Sequence, residues 1–156
     1  MLQVDEQFEV ASPRARVFRL WSAFGSFPAF MTGVDRVFVE TLARMRWRTS
    51  IAGVPSSFYA VVTEFEPDER IAWVSVDQET MGWWVDLEAL EPDSDGGART
   101  RVTVRVIWSP RGDVPATERA QRLDALAIRL DLQRFRVLAE APAEERAGER
   151  SLSHAA

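Results

Sequence analysis

The segment that decides the fold is ATERAQRLDALAIRLDLQRFRVLAE, residues 116–140. It is rich in good helix formers, it begins beside a potential N-cap at Thr117, and no Gly or Pro follows until Pro142. These features predict one long helix. Its apolar residues fall on two flanks of the helical wheel: Leu123, Leu126, Leu130 and Val137 on one, and Ile128, Leu132, Phe135 and Ala139 on the other. An apolar arc this wide indicates that the preceding part of the chain wraps around the helix.

The size and composition are those of an ordinary globular domain. A chain of 156 residues, 46% hydrophobic and 28% charged, suffices for one domain with its own core. The net charge of −5 argues against a nucleic-acid partner, which selects basic surfaces. No stretch approaches the roughly 20 apolar residues of a membrane span, and the N-terminus lacks a signal-peptide pattern. We therefore expect a cytoplasmic protein without stable membrane insertion.

The chain contains few of the side chains that act as nucleophiles or bind transition metals. There is no cysteine, which excludes disulfides and thiolate catalysis. The single histidine, His154, lies near the C-terminus. A histidine-based triad or a His/Cys metal site is therefore not expected, and we predict neither a metal nor a cofactor.

The region before the long helix reads mainly as strands. Alternation predicts a first strand over Gln3–Val10, and Ser12 and Pro13 are suited to cap and begin a short helix that ends near Ala23. Gly25 separates this helix from a second short one. Period-two segments then predict six strands, at Val34–Glu40, Arg44–Ile51, Ser56–Phe65, Arg70–Val76, Met81–Leu90 and Thr100–Ser109.

The connections between these strands are short, and short connections require antiparallel neighbours. We therefore predict an α+β fold in which a curved seven-stranded antiparallel sheet wraps around the long C-terminal helix, with two short helices after the first strand. The domain covers residues 1–140. Residues 141–156, rich in Glu, Arg, Ala and Ser, have little to bury and are expected to form a disordered tail.

Strand parity places four of the six tryptophans on the side of the sheet that faces the helix. The residues brought together there are Trp47, Thr49, Phe58, Trp73, Ser75, Trp83 and Trp108 on the sheet and Ala127 and Leu130 on the helix. Flat aromatics with few polar groups either fill a solid core or form the walls of a ligand site. We expect an enclosed cavity of a few hundred Å³, roughly the usual size of such sites.

Three charged residues, Asp124, Asp131 and Arg134, interrupt the apolar arc of the helix. Asp131 and Arg134 are spaced i,i+3, so they can form an ion pair. The pair has two interpretations. It is either structural, or it faces the ligand, with Arg134 polarising a carbonyl group while Asp131 holds Arg134 or transfers a proton.

The opposite side of the sheet carries large apolar side chains at Val74, Trp84 and Ile107. Tyr59 and Val61 join them in one of the two possible registers of the fourth strand. Exposed aromatics on neighbouring strands often mark an interface, so this surface predicts a possible homodimer. Scattered surface residues are the equally simple alternative.

Several segments resemble the START-like helix-grip superfamily, often called SRPBCC. The matching segments are Ser12–Leu20, Phe27–Val34, Trp47–Pro55, Pro67–Trp73, Gly97–Thr103 and Asp131–Phe135. The resemblance covers residues 3–140 and is greatest to the polyketide cyclase/dehydrase and coenzyme-Q-binding START-domain branch. The fold hosts cyclases, lipid carriers and hydrolases, so the resemblance is more specific for fold than for function.

The resemblance implies a hydrophobic tunnel between sheet and C-terminal helix that binds an aromatic or polyketide-like small molecule. In cyclase members the tunnel positions a poly-β-ketone chain for aldol closure and dehydration, often assisted by an arginine and a tyrosine or histidine. This chain has one tyrosine, Tyr59, and no histidine in the region of the cavity, which favours binding without turnover. Three functions stay open: a polyketide cyclase or aromatase, a non-catalytic lipid or quinone carrier, and an interaction module with a solid core.

Overall fold

A computed structural model describes residues 2–51, 54–109 and 117–141. Its first three elements are strand β1, helix α1 and a short 3₁₀ helix, at Leu2–Val10, Arg14–Ser22 and Phe24–Ala29. Six strands follow, β2 to β7, at Val34–Val39, Arg44–Ile51, Val54–Glu66, Arg70–Ser75, Met81–Ala89 and Thr100–Trp108. The last element is helix α2, Glu118–Ala139. Every predicted element is present, with boundaries that differ from the predicted ones by a few residues at most.

The seven strands form one sheet in the order β1-β7-β6-β5-β4-β3-β2, and every pair of neighbours is antiparallel. The tight turns explain this order. Asp68 has a positive φ of 66° between β4 and β5, and Gly96 has a φ of 80° in the loop between β6 and β7. That loop is held by Asp93, whose carboxylate accepts hydrogen bonds from the backbone N–H groups of Asp95 and Gly97. The predicted α+β helix-grip fold is confirmed.

Helix α2 begins as the sequence predicts. The Thr117 hydroxyl accepts a hydrogen bond from the backbone N–H of Ala120 at 3.1 Å, which satisfies one of the free donors of the first turn. One flank of the helix is buried, with Leu132 and Phe135 at its centre. The other flank is not covered: Leu126 is 52% exposed and Val137 is 72% exposed. The expectation that the sheet covers the whole arc was wrong, because α2 packs mainly against β1 and α1 and leaves this second flank in contact with solvent.

The concave side of the sheet is largely filled by the segment between β1 and β2. Trp21 of α1 is 0% exposed, and its ring stacks on Phe135 at a centroid distance of 4.2 Å. Trp73 of β5 lies between Phe27 and Trp83, at 5.3 and 5.8 Å. We call this cluster of Trp21, Phe27, Trp73 and Phe135 the aromatic core. It shows that α1 and the 3₁₀ helix place large side chains inside the sheet.

The start of α1 differs from the prediction. The N-cap position is Pro13, without a side-chain capping bond, and the helix begins at Arg14. The Ser12 side chain is buried, and its hydroxyl has no hydrogen-bond partner among the described residues. Its backbone carbonyl instead accepts a hydrogen bond from the Thr100 hydroxyl at 2.8 Å. Ser12 therefore ties the β1–α1 connection to β7 through its backbone and does not cap the helix.

The outer side of the sheet follows the predicted parity. Val74, Trp84 and Ile107 are half-buried there. Tyr59 also faces outward, because its neighbour Phe58 pairs with the inward-facing Trp47. A Cβ built on Gly82 would lie 2.5 Å from the Trp84 ring, so this glycine lets the indole lie close to the sheet. The homodimer stays a prediction. Of the predicted tail, Ala141 is buried, and the remainder lies outside the described residues.

Candidate functional site

A pocket opens between the sheet and α2, beside the aromatic core. Its walls come from β3, β6 and β7, from the middle of α2, and from the connection that leads into β2. Its volume is about 80 Å³, and it is open to solvent. An enclosed cavity of a few hundred Å³ was therefore the wrong expectation, because the aromatic core occupies the remainder of the concave space.

Tryptophans form much of the pocket wall. Trp47, Trp83 and Trp108 all line it, the first two buried and the third half-buried. Trp47 and Trp83 also touch the aromatic core, since both lie within 6.3 Å of Trp73 between ring centroids. These contacts hold the rings of Trp47 and Trp83 in place. Flat aromatic walls suit a flat apolar ligand.

One buried carboxylate, Asp131 on α2, lines the same pocket. Its Oδ1 accepts three hydrogen bonds, from the backbone N–H of Thr32 at 3.2 Å, the Thr32 hydroxyl at 3.1 Å and the Arg134 guanidinium at 2.9 Å. Burial raises the pKa of Asp131 above its usual range, although the bonds from Thr32 and the charge of Arg134 act in the opposite direction. No bond is made to Oδ2 among the described residues. Asp131 is thus an anchored carboxyl group with one free oxygen.

Arg134 forms the predicted ion pair but does not line the pocket. Its side chain is 46% exposed, against 12% for Asp131, so the guanidinium contacts Asp131 from the solvent side. In this position Arg134 stabilises and orients the carboxylate. Asp124, one helical turn toward the N-terminus from Ile128, does line the pocket and is half-buried. The polar side of the pocket is therefore acidic.

The predicted ligand-binding residues divide into two groups. Trp47, Thr49, Trp83, Trp108 and Ala127 line the pocket, and Phe58, Trp73, Ser75 and Leu130 do not. Trp73 belongs to the aromatic core, and Phe58 stacks on Trp47 from the side, at 6.1 Å. Leu130 lies on the exposed flank of α2, 39% exposed.

Ser75 has a structural task. Its hydroxyl donates to Asp77 at 2.6 Å and accepts from the backbone N–H of Met81 at 3.1 Å. Asp77 also accepts from the Thr80 hydroxyl, and these hydroxyl bonds hold the pKa of Asp77 well below its usual range. Ser75 and Asp77 together close the turn between β5 and β6.

Sequence reasoning missed the contribution of the connection from the 3₁₀ helix to β2. Met31, Gly33 and Val34 line the pocket, and Thr32 anchors Asp131 across 99 residues of sequence. The segment Phe27–Val34 carried the family resemblance, which was the available signal for its importance. No pattern in the sequence pairs Thr32 with Asp131, because their contact depends on how α2 docks.

Within residues 2–51, 54–109 and 117–141, no group of three or more His, Cys, Asp or Glu side chains is arranged to hold a metal ion. In the same part of the chain, no helix is long and apolar enough to cross a membrane.

The fold and the pocket agree with comparisons to known proteins. Residues 10–135 match the family model for polyketide cyclase/dehydrase and lipid transport proteins. The chain belongs to this family. It is also 31% identical, over 95% of its length and 96% of the relative's, to an uncharacterized 17.2 kDa protein of Streptomyces lincolnensis from the melC2-rnhH intergenic region.

Two solved structures show the same fold at low sequence identity. A START superfamily protein from Mycobacterium smegmatis superposes with a TM-score of 0.72 at 15% identity, over 90% of this chain and 98% of that one. The di-domain aromatase/cyclase BexL of the BE-7585A biosynthetic pathway superposes with a TM-score of 0.60 at 20% identity. The match covers 87% of this chain and 45% of BexL. Family membership and the apolar pocket together support binding of a hydrophobic ligand.

Proposed function

We propose that the protein binds a flat aromatic or polyketide-like molecule in the pocket and assists its cyclisation and dehydration, with Asp131 transferring protons. The observation that carries the proposal is the free oxygen of a buried, anchored carboxyl group in a pocket walled by three tryptophans. A pocket of about 80 Å³ is smaller than the roughly 300–1,000 Å³ of most ligand sites, so it holds one end of the ligand. The rest extends through the opening.

The reaction requires only proton transfers from Asp131. An intramolecular aldol closure needs a proton removed from the carbon beside one carbonyl and a proton delivered to the oxygen of the other, followed by loss of water. Positioning the chain supplies much of the rate in such closures. A carboxyl group whose pKa is raised by burial is better matched to proton transfer near neutral pH than an exposed one.

The second candidate is a non-catalytic carrier of a lipid or quinone. It is favoured by the three donors on Oδ1 of Asp131, which are also what a purely structural carboxylate would receive. It is favoured as well by the lining of the pocket, which among the described residues contains no His, Tyr or Lys. The two candidates share the binding site and differ in turnover.

A simple diketone separates the two. In 2,6-heptanedione one terminal methyl carbon attacks the distant carbonyl, and loss of one water gives 3-methylcyclohex-2-enone, whose absorbance reports the reaction. The proposal expects formation of this product above the buffer rate, with a loss of about 10²-fold or more in Asp131→Asn, the size usual for removing a general acid or base. Arg122→Gln, on the solvent-exposed side of α2, serves as the control. Binding of the diketone without any gain in rate would establish the carrier, and absence of binding would refute both candidates.

A further inference from the structure

Two buried polar atoms in the pocket wall have no hydrogen-bond partner among the residues that the structure describes. They are the hydroxyl of Thr49 and the indole N–H of Trp47, and both residues are 1% exposed. The two residues lie two positions apart on β3, so their side chains are on the same side of the sheet and both line the pocket. A buried donor without a partner is costly, and in native proteins a water, an ion or a ligand usually satisfies a donor that the protein itself does not.

Other unpartnered atoms in the molecule do not have this setting. The hydroxyl of Ser12, the indole N–H groups of Trp21 and Trp73 and the Nε of Arg46 are also without partners among the described residues, but none of these four side chains lines the pocket. Thr49 and Trp47 are therefore distinguished by their place in the pocket wall. Both offer a donor, since an indole N–H only donates and a hydroxyl donates or accepts.

The charge of the pocket limits what kind of acceptor it receives. Asp124 and Asp131 both line the pocket, so a ligand carboxylate or phosphate would lie beside acidic side chains. A neutral oxygen meets no such repulsion. Because the walls are flat indole rings, the oxygen that fits best is a carbonyl on or next to a ring.

We infer that the ligand presents a neutral carbonyl oxygen to β3, where the oxygen accepts hydrogen bonds from the Thr49 hydroxyl and the Trp47 indole N–H. This inference rests on the proposed function and deepens it. Thr49 is then a specificity-determining residue that selects ketones and quinones over hydrocarbons of the same shape. Asp131 lines the helix side of the pocket, and its Oδ2, which makes no hydrogen bond among the described residues, is left available for a second polar group of the ligand.

The test compares two probes that differ by one group, 1-tetralone and tetralin, whose ring systems are otherwise the same. Their dissociation constants are measured by NMR titration against the full chain. Each neutral hydrogen bond corresponds to about a threefold to tenfold preference for the ketone. Thr49→Val keeps the shape of the side chain and should lower the preference by one such factor, leaving the part due to the Trp47 indole N–H, whereas Thr49→Ser, which retains the hydroxyl, should restore the full preference. Thr103→Val, an exposed hydroxyl on β7 that accepts from Gln7, is the matched control and should leave the ratio unchanged.

A second readout needs no variant. The infrared carbonyl stretch of bound 1-tetralone should shift to lower frequency than in a hydrocarbon solvent if the oxygen accepts hydrogen bonds. Equal affinities for the two probes, an unchanged preference in Thr49→Val, or an unshifted carbonyl band would each overturn the inference and leave the binding pocket standing. If neither probe binds, the proposed function falls and the inference with it.

Discussion

The concave side of the sheet contains two regions built from the same kind of residue but packed differently. In the aromatic core, Trp21 lies within 6.3 Å of five other aromatic rings and is completely buried. In the pocket, Trp108 is half-buried, makes no ring contact among the described residues, and faces an opening of about 80 Å³. Aromatic residues on the concave side of a curved sheet therefore do not by themselves produce a cavity. A cavity forms only where side chains of α1 and the 3₁₀ helix do not fill the space.

The buried hydroxyls show the same contrast. Ser75, beside the closed turn of β5 and β6, donates one hydrogen bond and accepts another, whereas the Thr49 hydroxyl in the pocket wall makes none among the described residues. The Ser75 hydroxyl is part of the fold, and we assign the Thr49 hydroxyl to the ligand. Three measurements test this division between a structural region and a binding region.

The largest expected effect comes from Trp21→Ala. Removing a ring that is fully buried among five others should lower the free energy of unfolding by about 3–5 kcal/mol, measured by urea denaturation. Trp108→Ala is the matched change in the pocket, and its cost should stay below about 2 kcal/mol because the ring is only partly removed from water. Similar losses for the two variants would show that the pocket wall is an ordinary part of the core.

A smaller effect is expected from the two hydroxyls. Ser75→Ala leaves the buried N–H of Met81 without its acceptor, so it should cost about 1–3 kcal/mol. Thr49→Val removes a hydroxyl that has no partner among the described residues and keeps the volume, so the free energy of unfolding should change by less than about 1 kcal/mol in either direction. If Thr49→Val proved as costly as Ser75→Ala, the hydroxyl would have a structural partner, and the contrast would fail.

The smallest effect concerns the pH dependence of stability through Asp131. Because burial raises its pKa in the folded state, the folded protein holds this proton more tightly than the unfolded chain does. Ionising Asp131 therefore costs stability, and its contribution to the free energy of unfolding should fall as pH rises through the folded-state pKa. Asp131→Asn keeps an oxygen acceptor for Thr32 and Arg134 but removes the titration.

The measurement is urea unfolding of wild type and Asp131→Asn between about pH 4 and pH 7, expressed as the difference between the two proteins. The difference should move in favour of the variant with rising pH, by less than about 1.4 kcal/mol per pH unit, the limit for one proton. The lowered pKa values of Asp5, Glu9 and Asp77 act in the opposite direction, but they are common to both proteins and cancel. A difference that does not change with pH would mean that burial does not raise the pKa of Asp131. That result would remove the main reason to assign Asp131 a proton-transfer role.

Much of this protein was determined by the sequence alone, since the features involved are local. Thr117 caps α2, alternation marks the seven strands, and short connections force an antiparallel order. Parity turned Trp47, Trp73 and Trp83 inward because side chains alternate along any strand, whatever surrounds it. The i,i+3 spacing likewise brought Asp131 and Arg134 together within one helix.

The tertiary structure alone decided how the inner space is divided. Some inward tryptophans are buried in the core, and others line the pocket. The division depends on where Trp21 and Phe27 pack, and these two residues are distant in sequence from the strands they cover. The exposure of Leu126 and Arg134 depends on the angle at which α2 lies against the sheet, and a helical wheel does not contain that angle. The bond from Thr32 to Asp131 joins residues 99 positions apart, so it exists only after the helix has docked. Packing between distant segments, more than the pattern within any one of them, makes the site.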